Sequence, residues 1–122
     1  MKIILDTNAL MVPVQFGVDI FSELSSLNYD ECLVPSGVVR ELKGIASSGH
    51  GVDRNAARVA LSLISGFQTI ETVGDVDCAI LRLAIEIGAA VFTNDSELLR
   101  RLRDCGVNVV YMRQRSYLES IP

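Results

Sequence analysis

The chain has 122 residues, of which 49% are hydrophobic, and a formal net charge of −4. This length predicts one domain over residues 1–122 with a sizeable core, and the absence of any apolar run near ~18 residues argues against a transmembrane helix. Three widely separated cysteines and an N-terminus without signal-peptide features favour a cytoplasmic protein that has neither a disulfide framework nor a zinc site.

The predicted elements alternate between strands, which are short apolar runs, and helices, in which apolar residues recur three or four apart. Strands are predicted to end at Leu5 and to cover Glu31–Val34, Phe67–Val73, Ala89–Thr93 and Val107–Met112, with a short tail after the last. Helices are predicted over Asp19–Leu27, from Ser36 as N-cap, from Asp53 to about Ser65, from Asp75 to Ile87 and over Ser96–Asp104, with a loop over residues 46–52. This alternation implies a mostly parallel sheet in a three-layer α/β/α sandwich.

Acidic residues stand at several of the predicted junctions between a strand and the next helix. Asp6 follows the first strand, Asp95 follows the fourth, and Asp75 and Asp77 open the helix after the third. Glu41 lies in the early part of the helix after the second strand. In a right-handed parallel sheet these junctions share one edge, so we expect the carboxylates to meet in one cleft and to raise at least one pKa by repulsion.

A divalent cation is the usual means of keeping such a cluster ionised. Oxygen ligands without His or Cys select hard metals, so the predicted cofactor is Mg²⁺ or Mn²⁺. A metal held by carboxylates suits phosphodiester hydrolysis, because it polarises a phosphoryl oxygen and activates water. The neighbouring polar residues Thr7, Asn8, Thr93 and Asn94 are expected to orient the carboxylates or the water.

Four motifs resemble those of the PIN domain family. They are Leu-Asp-Thr-Asn-Ala-Leu at residues 5–10, Val-Val-Arg-Glu-Leu at 38–42, Asp-Cys-Ala-Ile-Leu-Arg-Leu-Ala at 77–84 and Thr-Asn-Asp-Ser-Glu-Leu-Leu-Arg-Arg-Leu at 93–102. The resemblance covers essentially the whole chain in order. It is closest to the small archaeal members, similar to the VapC-type toxin ribonucleases and to nucleases of ribosomal RNA processing.

The resemblance implies a five-stranded parallel sheet and a metal-dependent ribonuclease selective for single-stranded RNA, often a homodimer. Its four acids correspond to Asp6, Glu41, Asp77 and Asp95, with the metal on Asp6, Asp77 and Asp95. Asp77 is preferred to Asp75 because the residues after it fit the family's helix pattern, and Asp75 is left as a supporting residue. Several members carry a second acid where this chain has Cys78. An antitoxin protein is a possible partner, and a toxin role and an RNA-processing role both stay open.

The basic residues of the chain gather near its end, where residues 96–122 contain five arginines and three acids. Arg100, Arg101 and Arg103 are read most simply as the exposed face of an amphipathic helix. The alternative interpretation is that they contact RNA phosphates, which needs only local positive potential.

Two other functions are compatible with an acid at the end of a strand. The first is an RNA-binding or interaction module that keeps the fold without turnover. The second is a protein phosphorylated on the strand-end aspartate. Asn8 stands where the phosphatases of that second class need another acid, and Lys2 and Lys43 are the chain's two lysines, so the late lysine that this chemistry needs is missing. The sequence therefore favours the nuclease.

Overall fold

The computed structural model describes residues 1–113 and 117–122 and centres on a sheet with six strands in those residues. The strands are β1 (Lys2–Leu5), β2 (Glu31–Pro35), β3 (Gln68–Ile70), β4 (Ala90–Phe92), β5 (Val109–Arg113) and β6 (Tyr117–Ile121). Their order is β3-β2-β1-β4-β5-β6. The first five strands are parallel, as predicted, and β6 is antiparallel to β5.

The sixth strand corrects the prediction of five strands and a short tail. Leu118 is buried and its backbone N–H donates a hydrogen bond of 3.0 Å to Oε1 of Glu23, which lies on a helix beside the sheet. The register pairs Val109 with Ile121 and Arg113 with Tyr117. A strand of this kind is specified by its long-range partners, and its own five residues are only partly buried.

Seven helices surround the sheet in the part of the chain that the structure describes. They are α1 (Thr7–Leu10), α2 (Val12–Phe16), α3 (Ile20–Ser26), α4 (Ser36–Ser48), α5 (Gly51–Leu63), α6 (Val76–Ile87) and α7 (Ser96–Asp104). None of them has the length and apolar character that a membrane crossing requires. The predicted boundaries of α7 are confirmed, and Gly88 ends α6 in the left-handed conformation with φ of 66°.

The predicted loop over residues 46–52 is wrong, because α4 and α5 occupy most of it. The hydroxyl groups of Ser47 and Ser48 donate to the carbonyl oxygens of Lys43 and Gly44, one helical turn earlier, at 2.9 and 2.8 Å. These bonds keep the serines inside the helix, where small polar residues are otherwise neutral or unfavourable. Asp53 therefore lies in the first turn of α5 and is not its N-cap.

The sheet is buried on both faces at its centre. Ile3, Ile4 and Leu5 of β1 are fully buried, as are Val91 and Phe92 of β4. Successive side chains of a strand point to opposite faces, so consecutive buried residues require cover on both sides. This burial confirms the three-layer α/β/α arrangement and fixes the end of β1 at the middle of the sheet edge.

Candidate active site

A groove of about 650 Å³ lies at the carboxyl edge of the sheet and contains the four acids singled out in the sequence. Asp6 follows β1, Asp95 precedes α7, Asp77 lies in the first turn of α6 and Glu41 lies on α4. They reach the same groove because the connections between parallel strands place every strand end on one edge. The groove is lined by Asp6, Thr7, Asn8, Met11, Glu41, Gly44, Ile45, Ser48, Gly49, Asp77 and Asp95.

Asp6 is the most buried of the four acids, with 5% of its surface exposed. Its Oδ1 accepts a hydrogen bond of 2.8 Å from the backbone N–H of Thr7, and its Oδ2 accepts one of 2.7 Å from Oγ1 of Thr93. Burial raises the pKa of Asp6 from 3.8 to about 6. The two hydrogen bonds oppose this rise, and the charges of Asp77 and Glu41 add to it.

Thr93 connects the two aspartates that follow β1 and β4. Its side chain is fully buried, and while Oγ1 donates to Asp6 it also accepts a hydrogen bond of 3.1 Å from the backbone N–H of Asp95. Asp95 caps α7, because its Oδ1 accepts from the backbone N–H of Leu98 at 3.0 Å. The second oxygen of Asp95 has no hydrogen-bond partner among the described residues. Oδ1 of Asp95 thus caps α7, and its second oxygen is available to a ligand in the groove.

Thr7 performs a similar double role for Asp6 and Glu41. Its backbone N–H donates to Asp6, and its Oγ1 donates a short hydrogen bond to Oε1 of Glu41. Thr7 and Glu41 are 34 positions apart along the chain, since Thr7 begins α1 and Glu41 lies on α4. Thr7 thus contacts both carboxylates, and the role predicted for it in orienting them stays a prediction.

Asp75 and Asp77 have different surroundings at the start of α6. Asp75 is the N-cap of α6, and its Oδ2 accepts a hydrogen bond of 3.0 Å from the backbone N–H of Cys78. Hydrogen bonding with Cys78 lowers the pKa of Asp75. Asp77 lines the groove, and its pKa is raised by burial and then by the charges of Asp95 and Asp75. Arg101 partly offsets that rise. The geometry places Asp77 with the other acids and leaves Asp75 as a helix cap.

A set of hydrogen bonds that sequence reasoning did not identify joins α4 to the segment before α6. The backbone N–H of Thr72 donates to Oγ of Ser36 at 2.9 Å, and the backbone N–H of Gly37 donates to Oγ1 of Thr72 at 3.2 Å. Nη2 of Arg40 donates to the carbonyl oxygen of Thr72 at 3.4 Å. Ser36 was expected to be the N-cap of α4, but Pro35 holds that position and the hydroxyl of Ser36 is used across the sheet edge. These bonds fix Glu41 relative to Asp77.

Asn8 and Asn94 link the groove to the neighbouring strand β5. The backbone N–H of Asn94 donates to Oδ1 of Asn8 at 3.4 Å, and Oδ1 of Asn94 accepts from the backbone N–H of Met112 at 2.8 Å. Asn8 lines the groove, whereas Asn94 is outside its lining. Both are therefore placed to support the edge of the sheet.

The three arginines of α7 have distinct contacts. Arg100 forms ion pairs with Glu97 at 2.6 Å and with Asp104 at 3.2 Å, so its charge is largely matched on its own helix. Nη2 of Arg101 donates to Sγ of Cys78 at 3.4 Å; this hydrogen bond is the main cause of the raised Arg101 pKa, and the charges of Asp77 and Asp75 add to it. Arg101 therefore lies beside the carboxylate groove. Arg103 lies in the last turn of α7.

The donor chemistry of the groove fits a hard divalent cation, since all four acids offer oxygen ligands. In the part of the chain that the structure describes, however, no three His, Cys, Asp or Glu side chains lie close enough together to hold a metal ion. The predicted ligands Asp6, Asp77 and Asp95 are thus gathered in one groove without being closed around one point. Burial is the main cause of the raised pKa values of Asp6 and Asp77, and the charges of neighbouring acids add a repulsion that a bound cation would offset.

A family model described as a PIN-like domain matches residues 3–115 of the chain. The chain belongs to the PIN-like domain family. The resemblance seen in the four motifs is confirmed by this match.

Curated relatives of this PIN-like domain extend over nearly its whole length. It is 32% identical over 111 residues to Ribonuclease VapC9 of Archaeoglobus fulgidus, and the aligned region covers 91% of this chain and 82% of the relative. It is 31% identical over 124 residues to Ribonuclease VapC4 of Methanocaldococcus jannaschii, covering 97% of this chain and 95% of the relative.

Solved structures support the fold. The PIN domain endonuclease Utp24 matches with a TM-score of 0.79 and 20% identity, covering 98% of this chain and 90% of that one. VapBC2 from Rickettsia felis, bound to a DNA fragment from its promoter, matches with a TM-score of 0.67 and 17% identity over 93% of this chain and 100% of that one. At these identities the likeness establishes the PIN-like fold of this chain and carries no further function.

Proposed function

We propose that this PIN-like domain is a metal-dependent endoribonuclease of the toxin–antitoxin type that hydrolyses phosphodiester bonds in single-stranded RNA. The observation that carries the proposal is the groove in which Asp6, Glu41, Asp77 and Asp95 meet at the carboxyl edge of the sheet. Two relatives that are more than 30% identical over most of the chain bear the name ribonuclease, which supports the same activity here.

Asp6, Asp77 and Asp95 are the residues that would hold Mg²⁺ or Mn²⁺. When bound, such an ion supplies Lewis acidity that polarises a phosphoryl oxygen and makes water more acidic. Asp6 is the central residue of this set, because hydrogen bonds from Thr7 and Thr93 fix both of its oxygens. With a pKa of about 6, Asp6 is mostly ionised at pH 7.5 and ready to bind a cation.

Glu41 is the acid best placed to handle the attacking water. Thr7 holds Oε1 of Glu41 through its hydroxyl, and the side chain is otherwise exposed to the groove. A carboxylate with one oxygen held and one free can orient a water molecule and accept its proton. Arg101, beside Asp77, supplies positive charge near the position of the RNA phosphates.

The test is cleavage of an end-labelled single-stranded RNA at increasing Mg²⁺ or Mn²⁺. We expect Asp6→Asn and Asp95→Asn to lower the rate at least about 100-fold, the scale of losing one group that stabilises developing charge. Asp104→Asn is the matched control, since Asp104 is an exposed acid that pairs with Arg100 on α7 away from the groove. Full activity of Asp6→Asn, or of the native protein in excess EDTA, would refute the proposal.

The partners follow from the same assignment. We propose that residues 1–122 act as one domain in the cytoplasm and form a homodimer. We also propose that the domain binds an antitoxin protein, which the match to the VapBC2 complex supports. Co-expression with the product of a neighbouring small gene should give a complex with lowered ribonuclease activity. Light scattering after size-exclusion chromatography measures the oligomeric state, and a monomer would contradict the homodimer.

A further inference from the structure

A second pocket, of about 420 Å³, lies next to the carboxylate groove, and Asn8 lines both. Its volume is within the range of about 300–1,000 Å³ that small-molecule sites occupy. The pocket is lined by aromatic residues, side-chain amides and the apolar side chains of Leu99 and Met112, and its described lining carries no charged side chain. We call it the aromatic–amide pocket; the lining includes Asn8, Gln15, Phe16, Asn94, Tyr111 and Met112.

The two aromatic rings of the pocket come from α2 and β5. Phe16 is the last residue of α2, has 39% of its surface exposed, and is followed by Gly17, whose φ of 63° ends the helix. Tyr111 is half-buried, and its hydroxyl donates to Oε2 of Glu119 at 3.2 Å and accepts from Nη1 of Arg113 at 3.4 Å. Arg113 and Glu119 are themselves paired at 3.0 Å, which holds the Tyr111 ring in place.

The amides of the pocket have unused hydrogen-bonding capacity. Oδ1 of Asn94 accepts from Met112, and Oδ1 of Asn8 accepts from Asn94, so the Nδ2 groups of both asparagines lack partners among the described residues. The side-chain amide of Gln15 likewise makes no hydrogen bond in the described part of the chain. An amide offers donors and an acceptor in one plane, which matches the edges of nucleobases.

We propose that the aromatic–amide pocket binds one unpaired nucleobase of the RNA, next to the phosphodiester that is cleaved. An uncharged, flat ligand suits a lining of aromatic, amide and apolar groups, because aromatic faces stack on any base. Because Asn8 lines both cavities, a base in this pocket would lie beside the carboxylate groove. The pocket would also explain a preference for single strands, since a base must be unpaired to enter it. This assignment rests on the proposed ribonuclease function.

The test is an NMR titration of the ¹⁵N-labelled protein with a single-stranded RNA pentamer and with copies that lack one base. We expect the RNA to shift the side-chain amide signals of Gln15 and Asn94. Removal of one particular base should weaken binding between about 5-fold and about 150-fold, the range for one stacked base. Phe16→Ala should weaken binding of the complete RNA by a similar factor and should leave the copy without that base unaffected.

Tyr117→Ala is the matched control, because Tyr117 is an aromatic residue of equal exposure, 40%, outside the pocket lining. Phe16→Leu retains an apolar side chain without the ring, so a loss of affinity in a Phe16→Leu protein with a native-like NMR spectrum is due to the missing ring. Unshifted amides together with native-like affinity in both Phe16 variants would overturn the pocket. Shifts that depend on protein concentration without RNA would assign the surface to a second copy of the chain and would also overturn it.

Cleavage measured in the same samples separates this proposal from the proposed function. If RNA is hydrolysed but the amides of the pocket do not respond, the pocket assignment fails and the ribonuclease stands. If the amides respond and base removal weakens binding but no hydrolysis occurs, the pocket stands and the ribonuclease fails.

Discussion

The substitution Asp6→Asn should stabilise the folded protein at neutral pH while it removes activity. The pKa of Asp6 rises from 3.8 to about 6 on folding, chiefly through burial. A rise of about two pH units, at about 1.36 kcal/mol each, corresponds to about 3 kcal/mol. Between pH 3.8 and 6 Asp6 holds its proton in the native state and loses it on unfolding. The contribution of Asp6 to the unfolding free energy is therefore complete below pH 3.8 and is lost as the pH rises through 6.

Asparagine at this position carries no charge at any pH, so the variant avoids that loss. The variant's unfolding free energy at neutral pH should rise by at most about 3 kcal/mol. The amide oxygen of the new asparagine can still accept from the backbone N–H of Thr7, but its NH₂ group cannot accept from the Thr93 hydroxyl as Oδ2 of Asp6 does. For a chain of this length, 3 kcal/mol corresponds to a change of about 10 °C in melting temperature.

The assay is urea unfolding of the native protein and the variant between pH 4 and pH 8 in EDTA, so that no cation offsets the charge. The difference in unfolding free energy should move in favour of the variant as the pH rises. Asp30→Asn is the control, since the hydrogen bond from the N-terminal ammonium group lowers the pKa of Asp30 from 3.8, so its linkage falls below pH 4 and its difference from the native protein should stay nearly constant over the assayed range. A difference that stays constant across this pH range for Asp6→Asn would refute the reasoning.

Three further substitutions test the supporting groups. Thr7→Val removes the hydroxyl that holds Glu41 and should lower activity about 10- to 100-fold, whereas Thr7→Ser should retain it, as measured by RNA cleavage against Mg²⁺ concentration. Arg101→Ala should raise KM for RNA and should lower the slope of log affinity against log salt concentration by about 0.7 per lost phosphate contact. Arg100→Ala should leave both quantities near their native values, because Arg100 is paired with Glu97. Gly37→Ala places a Cβ 3.0 Å from a side chain of α6, so we expect a lower melting temperature and a lower kcat.

The positions in the fold that the sequence predicted correctly for the candidate site residues are those encoded by short, local patterns. A buried apolar run followed by an acid places Asp6 at the end of β1, and the same pattern places Asp95 after β4. The parallel order of the strands then brings the acids to one edge without further information. Distances between their side chains depend on rotamers and on contacts such as that from Thr93 to Asp6, 87 positions apart, which no local pattern contains.

The incorrect predictions share a different cause. No helix is predicted between β1 and Asp19, where Pro13 and Gly17 disfavour one, yet Pro13 lies in the first turn of α2, where a missing N–H costs nothing, and Gly17 ends that helix. The small polar residues 46–48 resemble a loop, but two of them bond back into α4. In both regions tertiary packing supports helices that composition alone disfavours.

The central position of β1 has a consequence for how the site is assembled during folding. β1 pairs with β2 on one side and with β4 on the other, and Asp6 receives the Thr93 bond only when β4 has docked. Such distant pairings are slow to form, because the entropy of closing a long loop must be overcome before the contact is gained. A chain in which β4 has not docked therefore lacks the contact that orients Asp6, and we expect nuclease activity to appear only after β4 has joined the sheet.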